Sequence, residues 1–276
     1  MKNEKIMNKE LIDGQPVSLK KVVLVGAGNV ATHLGPALCD AGYEVVQVFS
    51  RTEASASALA GKLHCPYTTR LDMVNPEADM YIVSVKDSAL EKVIPPLVSR
   101  HPDAFFVHTA GSMPMNVWKG LARHYGVLYP MQTFSKGRGV DFSTVPFFVE
   151  GSGKEEMETL KILAGQLGGK AYEATSEQRR YLHVAAVFAC NFANHMYAVA
   201  EHLLALHGLP FGAMLPLIDE TARKVHELSP LEAQTGPARR YDENVINRHL
   251  SMLADEPELA ELYELISKNI HKFLSS

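Results

Sequence analysis

Three small residues at fixed spacing, Gly26, Gly28 and Ala31, follow the apolar run Val22, Val23, Leu24, Val25 and open a helical pattern. In a G-x-G-x-x-A sequence placed between strand and helix, the first glycine makes a tight turn and the second lets a pyrophosphate approach the backbone. The third small residue lets the helix pack close. Free N–H groups at the start of that helix suit an anion, so Asn29 and Val30 join Gly26, Gly28 and Ala31 as expected cofactor contacts. The competing reading is a purely structural glycine turn.

The next apolar run ends in Ser50, Arg51 and Thr52, where an NAD-binding protein would place an acid against the ribose 2′-hydroxyl. A guanidinium and two hydroxyls suit a 2′-phosphate instead. The expected cofactor is therefore NADP(H), with Glu53 leaving room for NAD. Two later strand ends face the same crevice if the sheet is doubly wound. They bring Ser84, Val85 and Lys86, then Thr109 and Gly111, to the cofactor and Ser112 to a substrate. Lys86 also reads as a solvated loop lysine, and Ser112 as a cap for the turn just after it.

Farther along, His183, Val187, Cys190 and Asn194 stand at i, i+4, i+7 and i+11, with Asn191 beside them, in the apolar run "LHVAAVFACNFANHMYAVA". That run reads as a buried helix, and its polar groups then need partners that a substrate could supply. A histidine is the natural proton donor near neutral pH. His183 is the expected proton carrier, with Asn191 and Asn194 orienting substrate; a satisfied interface histidine is the plainer alternative. "TGPARRYDEN" adds Thr235, Arg240 and Asp242 as substrate contacts, though a salt bridge at a helix start explains the charged pair as well.

These residues need a frame. Short apolar runs alternate with helical stretches from residue 21 to about 175, the pattern of a parallel sheet covered on both faces. After that the strand signals stop. The expected architecture is an α/β Rossmann doubly wound parallel sheet over 21–175, followed by an all-helical C-terminal domain over 176–276. Residues 1–20 are expected to be a loose arm, since they show no apolar core of a secretory signal. Thr175 and Gln178 open a helix that, unbroken, would run about 32 residues and about 48 Å. Such a helix is long enough to span a domain or subunit interface.

Composition narrows the class further. Net charge is −4, so no global field draws nucleic acid. No run is a clean membrane span, and no membrane partner is expected. Cys39, Cys65 and Cys190 are odd in number and far apart, which argues against a disulfide framework and for a cytoplasmic protein. The histidines form no metal-ligand spacing.

Together, "VGAGNVATHL", "FSR", "VHTAGS", "GVLYPMQTF", "HVAAVFACNFANH" and "TGPARRYDENVINRHL" resemble an NADP oxidoreductase-like family. That family joins a Rossmann-like domain to the helical "domain of unknown function 2520" and is related to pyrroline-5-carboxylate reductase, ketopantoate reductase and 6-phosphogluconate dehydrogenase. The resemblance covers residues 20 to 272. It implies NADP laid along the sheet, an interdomain cleft for a small-molecule substrate, and a homodimer built by the C-terminal helices. It also implies site roles for His183, Asn191, Thr235, Arg240 and Asp242. Many relatives have histidine where Tyr129 precedes Pro130, so proton transfer assigned there would use Tyr129. Where relatives often have proline, this chain has Lys86. With Gln132, Tyr129 would help to define the substrate. The expected activity is hydride transfer to or from a small carbonyl, imine or hydroxy compound. The alternative is a non-catalytic NADP(H)-binding redox sensor or interaction module.

Overall fold

Val22, Val23, Leu24 and Val25 are all fully buried, so both faces of the first strand are covered. This explains why its sequence is continuously apolar rather than alternating. The computed structural model describes residues 20–274, and the arm expected over 1–20 lies outside them except for Lys20. The chain divides into two compact units between Asn194 and His195.

The first unit holds strands β1 (Lys21–Val25), β2 (Glu44–Phe49), β3 (Tyr67–Thr68), β4 (Met80–Val83), β5 (Phe105–His108), β6 (His124–Pro130), β7 (Pro146–Gly151) and β8 (Lys170–Glu173). They form one sheet in the order β3-β2-β1-β4-β5-β6-β7-β8. Pairing is parallel except between β6 and β7. Helices α1 (Asn29–Asp40), α2 (Glu53–Leu63), α3 (Asp87–Val98) and α4 (Lys154–Gln166) cover it. One core gathers Leu34, Leu38, Leu59, Leu160 and Leu163 against Leu24, Ile82 and Val107 on one face. The other packs Leu90, Ile94 and Leu97 against Val23, Tyr81 and Phe106.

The sixth strand, "HYGVLYP", is not evident in the sequence, because it carries glycine, proline and histidine. It is held from both sides, parallel to β5 and antiparallel to β7. Neighbours of that kind override local propensity.

Helix α5 (Ser176–Ala186) opens with the expected capping box, Thr175 accepting from the Gln178 backbone while Gln178 returns a bond to Thr175. The helix is not regular thereafter. A π-helical turn occupies Val187–Phe192 before α6 (Ala193–Leu206), and the division between the two units falls just inside α6.

Within the second unit, residues 236–254 form two helices rather than one. Helix α9 (Pro237–Arg240) ends at Tyr241, which is left-handed at φ 51°, and α10 (Glu243–Met252) starts after it. The unit also holds α7 (Leu215–Lys224), α8 (Pro230–Ala233) and α11 (Pro257–Leu274). The backbone N–H of Ala260 bonds to Glu256 O at 3.0 Å, so Glu256 stands at the head of α11. Among the described residues no helix is long and apolar enough to cross a membrane.

Candidate functional site

The chain runs from β1 outward to β2 and β3, then returns to place β4 on the other side of β1. Ligands in such sheets collect at the carboxyl ends of the strands, at the point where the order reverses. Gly26 leaves β1 there with φ +119°, and its N–H donates to Phe49 O at 2.7 Å. A Cβ at Gly26 would lie 2.3 Å from the Ser84 carbonyl oxygen and 3.2 Å from the Val85 side chain. Sterics and φ both demand glycine. Gly28, the N-cap of α1, is different: a Cβ there would meet only Ser84 O, at 3.9 Å.

No side chain caps α1, and its first turn holds no acid. The head of the helix is thus left to an external acceptor. The space in front of Gly28, which a side chain would fill, fits a dinucleotide pyrophosphate. Ala31 is fully buried and Val30 half-buried beneath it. Asn29 uses its side chain elsewhere, donating from Nδ2 to Phe134 O at 2.9 Å, while His33 Nε2 meets Ser135 O at 2.9 Å. These two bonds tie the loop after β6 to the first turns of α1.

At the end of β2 the Ser50 N–H donates to Thr68 O at 3.2 Å, and Arg51 and Thr52 are exposed. The nearest carboxylate, Glu53, accepts a bond from Tyr67 Oη at 3.1 Å. It is therefore occupied by β3, while Arg51 and the hydroxyls stand at the strand end. Ser84 and Thr109, at the ends of β4 and β5, share a hydrogen bond of 3.0 Å between their hydroxyls. Lys86 is exposed just before α3. Ser112 donates to the Asp87 carboxylate at the start of α3, so it is not a cap of the turn just after it. Gln132 is exposed and accepts from the backbone N–H of its neighbour Thr133 at 2.8 Å.

Gly111 has a packing role. A Cβ there would stand 2.6 Å from the Tyr129 ring, so the ring lies directly on the backbone of the loop after β5. The Tyr129 hydroxyl lies 3.2 Å from His183 Nδ1 on α5, and the two rings meet edge to face. Burial pushes the Tyr129 phenol above its ordinary value, with the nearby Arg179 cation pulling the other way. The phenol is therefore protonated at neutral pH.

Arg179, which sequence reasoning missed, is fully buried one turn before His183. Its Nη1 donates to Ala110 O at 3.1 Å and Met113 O at 2.9 Å, and its Nη2 to Glu150 Oε2 at 2.6 Å and Ser176 Oγ at 3.0 Å. Burial pushes the guanidinium down from its ordinary value, and Glu150 opposes that. In "SEQRRYLH" nothing separates Arg179 from the exposed Arg180 except the helical phase set by Thr175. Beneath the same loop His108 is fully buried and accepts from the Ala110 N–H at 3.2 Å.

The polar stripe expected on one buried helix face is corrected. Asn191 and Asn194 are exposed, as are Val184, Phe188 and Cys190. The π turn lies between His183 and Asn194, and an extra residue in a turn rotates the remainder of the helix by about 100°. His183 and Asn194 thus do not share one face.

In the second unit, Thr235 precedes α9, Arg240 is exposed at its end, and Asp242 caps α10 by accepting from the Val245 N–H at 3.3 Å. Among the described residues no cluster of metal-binding side chains occurs.

Comparison with known proteins agrees with this geometry. Residues 21–111 match the family described as NADP oxidoreductase, coenzyme F420-dependent, and residues 145–270 match the domain of unknown function 2520. A Bacteroides fragilis protein named as a candidate NADP oxidoreductase is 59% identical, with 92% of this chain and 98% of that one aligned at a TM-score of 0.88. Two other solved structures share the fold at lower identity. The 1-pyrroline-5-carboxylate reductase of Streptococcus pyogenes is 13% identical, over 91% of this chain and 98% of that one, with a TM-score of 0.60. The imine reductase of Myxococcus stipitatus, solved in complex with NADP+, is 15% identical, over 92% and 93%, with a TM-score of 0.64. No curated protein matches significantly.

Proposed function

Since the chain belongs to the NADP oxidoreductase family that joins a Rossmann-like domain to the domain of unknown function 2520, we propose that it reduces or oxidises a small carbonyl, imine or hydroxy compound with Tyr129 and His183 as its proton carriers. NADP(H) is the cofactor of the family; when bound it supplies or accepts the hydride. In this reading Gly26, Gly28 and the head of α1 hold the pyrophosphate, and Ser50, Arg51 and Thr52 hold the 2′-phosphate. Ser84, Val85, Lys86, Thr109 and Gly111 border the rest of the dinucleotide.

The observation that carries the reading is the phenol and imidazole, 3.2 Å apart, seated on the loop that leaves β5. A protonated Tyr129 donates to the carbonyl oxygen or imine nitrogen of the substrate, whose carbon takes the hydride, and regains a proton through His183. Reversal serves the oxidation. The exposed Asn191 and Asn194, with Ser112 and Gln132, are assigned to substrate selection; Thr235, Arg240 and Asp242 are the second unit's own candidates for substrate contact. Two copies pair through their C-terminal helices.

Two glycine variants test the cofactor site. Gly28→Ala is expected to keep its melting temperature and lose at least about tenfold in NADPH affinity, because its Cβ enters open space. Gly26→Ala should fail to fold stably, since its Cβ meets Ser84 O at 2.3 Å. Equal NADPH affinity in Gly28→Ala and wild type would refute the cradle. Activity is sought by screening keto acids, imines and hydroxy acids for NADPH oxidation or NADP+ reduction. On a substrate found this way, Tyr129→Phe and His183→Ala should each slow turnover by about 10² to 10⁴ with cofactor affinity unchanged. Cofactor binding with no turnover on any of these compounds would favour a redox sensor instead.

A further inference from the structure

We propose that Arg179 is a positioning residue for the Tyr129 and His183 pair: its buried guanidinium binds the loop after β5, strand β7 and helix α5 into one frame that seats the phenol against the imidazole and faces the phenol with a positive charge. The proposal rests on the assignment of that pair as proton carriers.

The frame is continuous. Nη1 holds the carbonyls of Ala110 and Met113, which bracket Gly111 and Ser112. Gly111 is the seat of the Tyr129 ring, so fixing those two carbonyls fixes the surface on which the ring lies. Nη2 reaches Glu150 on β7 and Ser176 at the head of α5. Ser176 Oγ in turn donates to Glu150 Oε2 at 2.8 Å and accepts from the Met115 N–H at 2.8 Å. His183 lies four residues beyond Arg179, on the same face of α5. One side chain thereby sets the position of both partners.

Stitching a loop to a helix does not require a buried cation. Well-packed apolar residues do as much without the desolvation cost. What an apolar residue cannot provide is charge beside a phenol. The groups that face Tyr129 are Arg179 and His183 from α5, Cys190 from the π turn, Phe148 from β7 and Gly111 from the loop. Glu150 and Arg180 act on Arg179 itself. Among these Arg179 draws the phenol toward ionisation, against burial and Cys190. A phenol that gives up its proton during turnover leaves a phenolate, and a fixed cation stabilises it.

The test uses the full chain and needs no substrate. Alkaline titration of tyrosine absorbance, with the Tyr129→Phe curve subtracted, gives the midpoint of Tyr129. Arg179→Met is expected to raise that midpoint by at least about half a unit, because the cation is gone. Glu150→Gln is expected to lower it, because the anion that offsets the cation is gone. Arg179→Lys should restore most of the wild-type value. The His183 ring signal in NMR, assigned with His183→Gln, should move in Arg179→Met and stay in place in the exposed control Arg180→Met. A structural brace alone predicts unmoved midpoints in every variant that folds, and that result overturns the proposal. The fluorescence of the buried Trp118 reports folding. If Arg179→Met unfolds, the opposite-sign shift in Glu150→Gln and the rescue by Arg179→Lys decide; unfolding of all three shows a structural brace and overturns the proposal. Absence of NADPH binding by the wild type would defeat the cofactor assignment and leave this titration unaffected.

Discussion

At the scale of single residues, burial governs the charge state of the side chains beneath the site. His108 stacks near Trp118, accepts from the Ala110 N–H and is pushed down to about 3, by burial first and by the Arg179 cation second. It folds neutral and is protonated far more readily in the unfolded chain, near pH 6.5. Its contribution to stability is therefore complete above about pH 6.5 and lost progressively as pH falls toward 3. Urea denaturation of the wild type should show a loss of about 2 kcal/mol from this group between pH 7 and pH 4.5. His108→Gln should be less stable at pH 7 but flatter through that window. Parallel curves for the two proteins would refute this account. Arg51 is a residue-scale prediction of another kind. With Glu53 engaged by Tyr67, Arg51→Ala should narrow the preference for NADPH over NADH by about tenfold, read as a ratio of dissociation constants. An unchanged ratio would assign the 2′-phosphate to other groups.

At the scale of elements, the sequence is most informative where local signals and tertiary demands agree. β1, α1 and α2 are legible because a fully buried strand is continuously apolar and because Gly26, at φ +119°, marks the turn where the strand ends and the helix begins. β6 is illegible because its pairing comes from β5 and β7, far from its own residues. The site divides in the same way. Its glycines, the Ser50 to Thr52 corner and His183 carry a local pattern. Arg179, Ser176 and Glu150 are ordinary polar residues until the fold brings together segments about 30 residues apart along the chain, which is why spacing could not find them. The π turn at Val187–Phe192 is hidden likewise, since its sequence reads as regular helix. The capping box that sets the phase of α5 can be tested directly. Thr175→Ala should cost about 1 kcal/mol in denaturant unfolding. Because the phase of α5 places Arg179 and His183, the same substitution should move the His183 ring signal. A normal signal in a destabilised protein would separate the cap from the site.

At the scale of the whole molecule, the two compact units are unequal in their cores. The first buries both faces of its sheet. In the second, the described residues that are buried are Ala238, Ile246 and Ser267, while Leu217 on α7 is 62% exposed and Leu265 and Phe273 on α11 are 67% and 65% exposed. Even a small domain that folds alone buries about 60% of the surface its unfolded chain exposes. Large apolar side chains left exposed in this number point to an association surface. The proposed second copy of the chain meets that need by symmetry, since each copy offers the other the same apolar helices. Sedimentation equilibrium should therefore give about twice the 30.4 kDa chain mass. Leu265→Arg would place a charge on that apolar surface, and it should shift the equilibrium toward monomer and lower the melting temperature of the second unit. The first unit carries its own core and the residues proposed for the cofactor, so NADPH affinity should survive in the same variant. A wild-type monomer at micromolar concentration with intact NADPH binding would show that the apolar helices are covered in some way other than by a second copy.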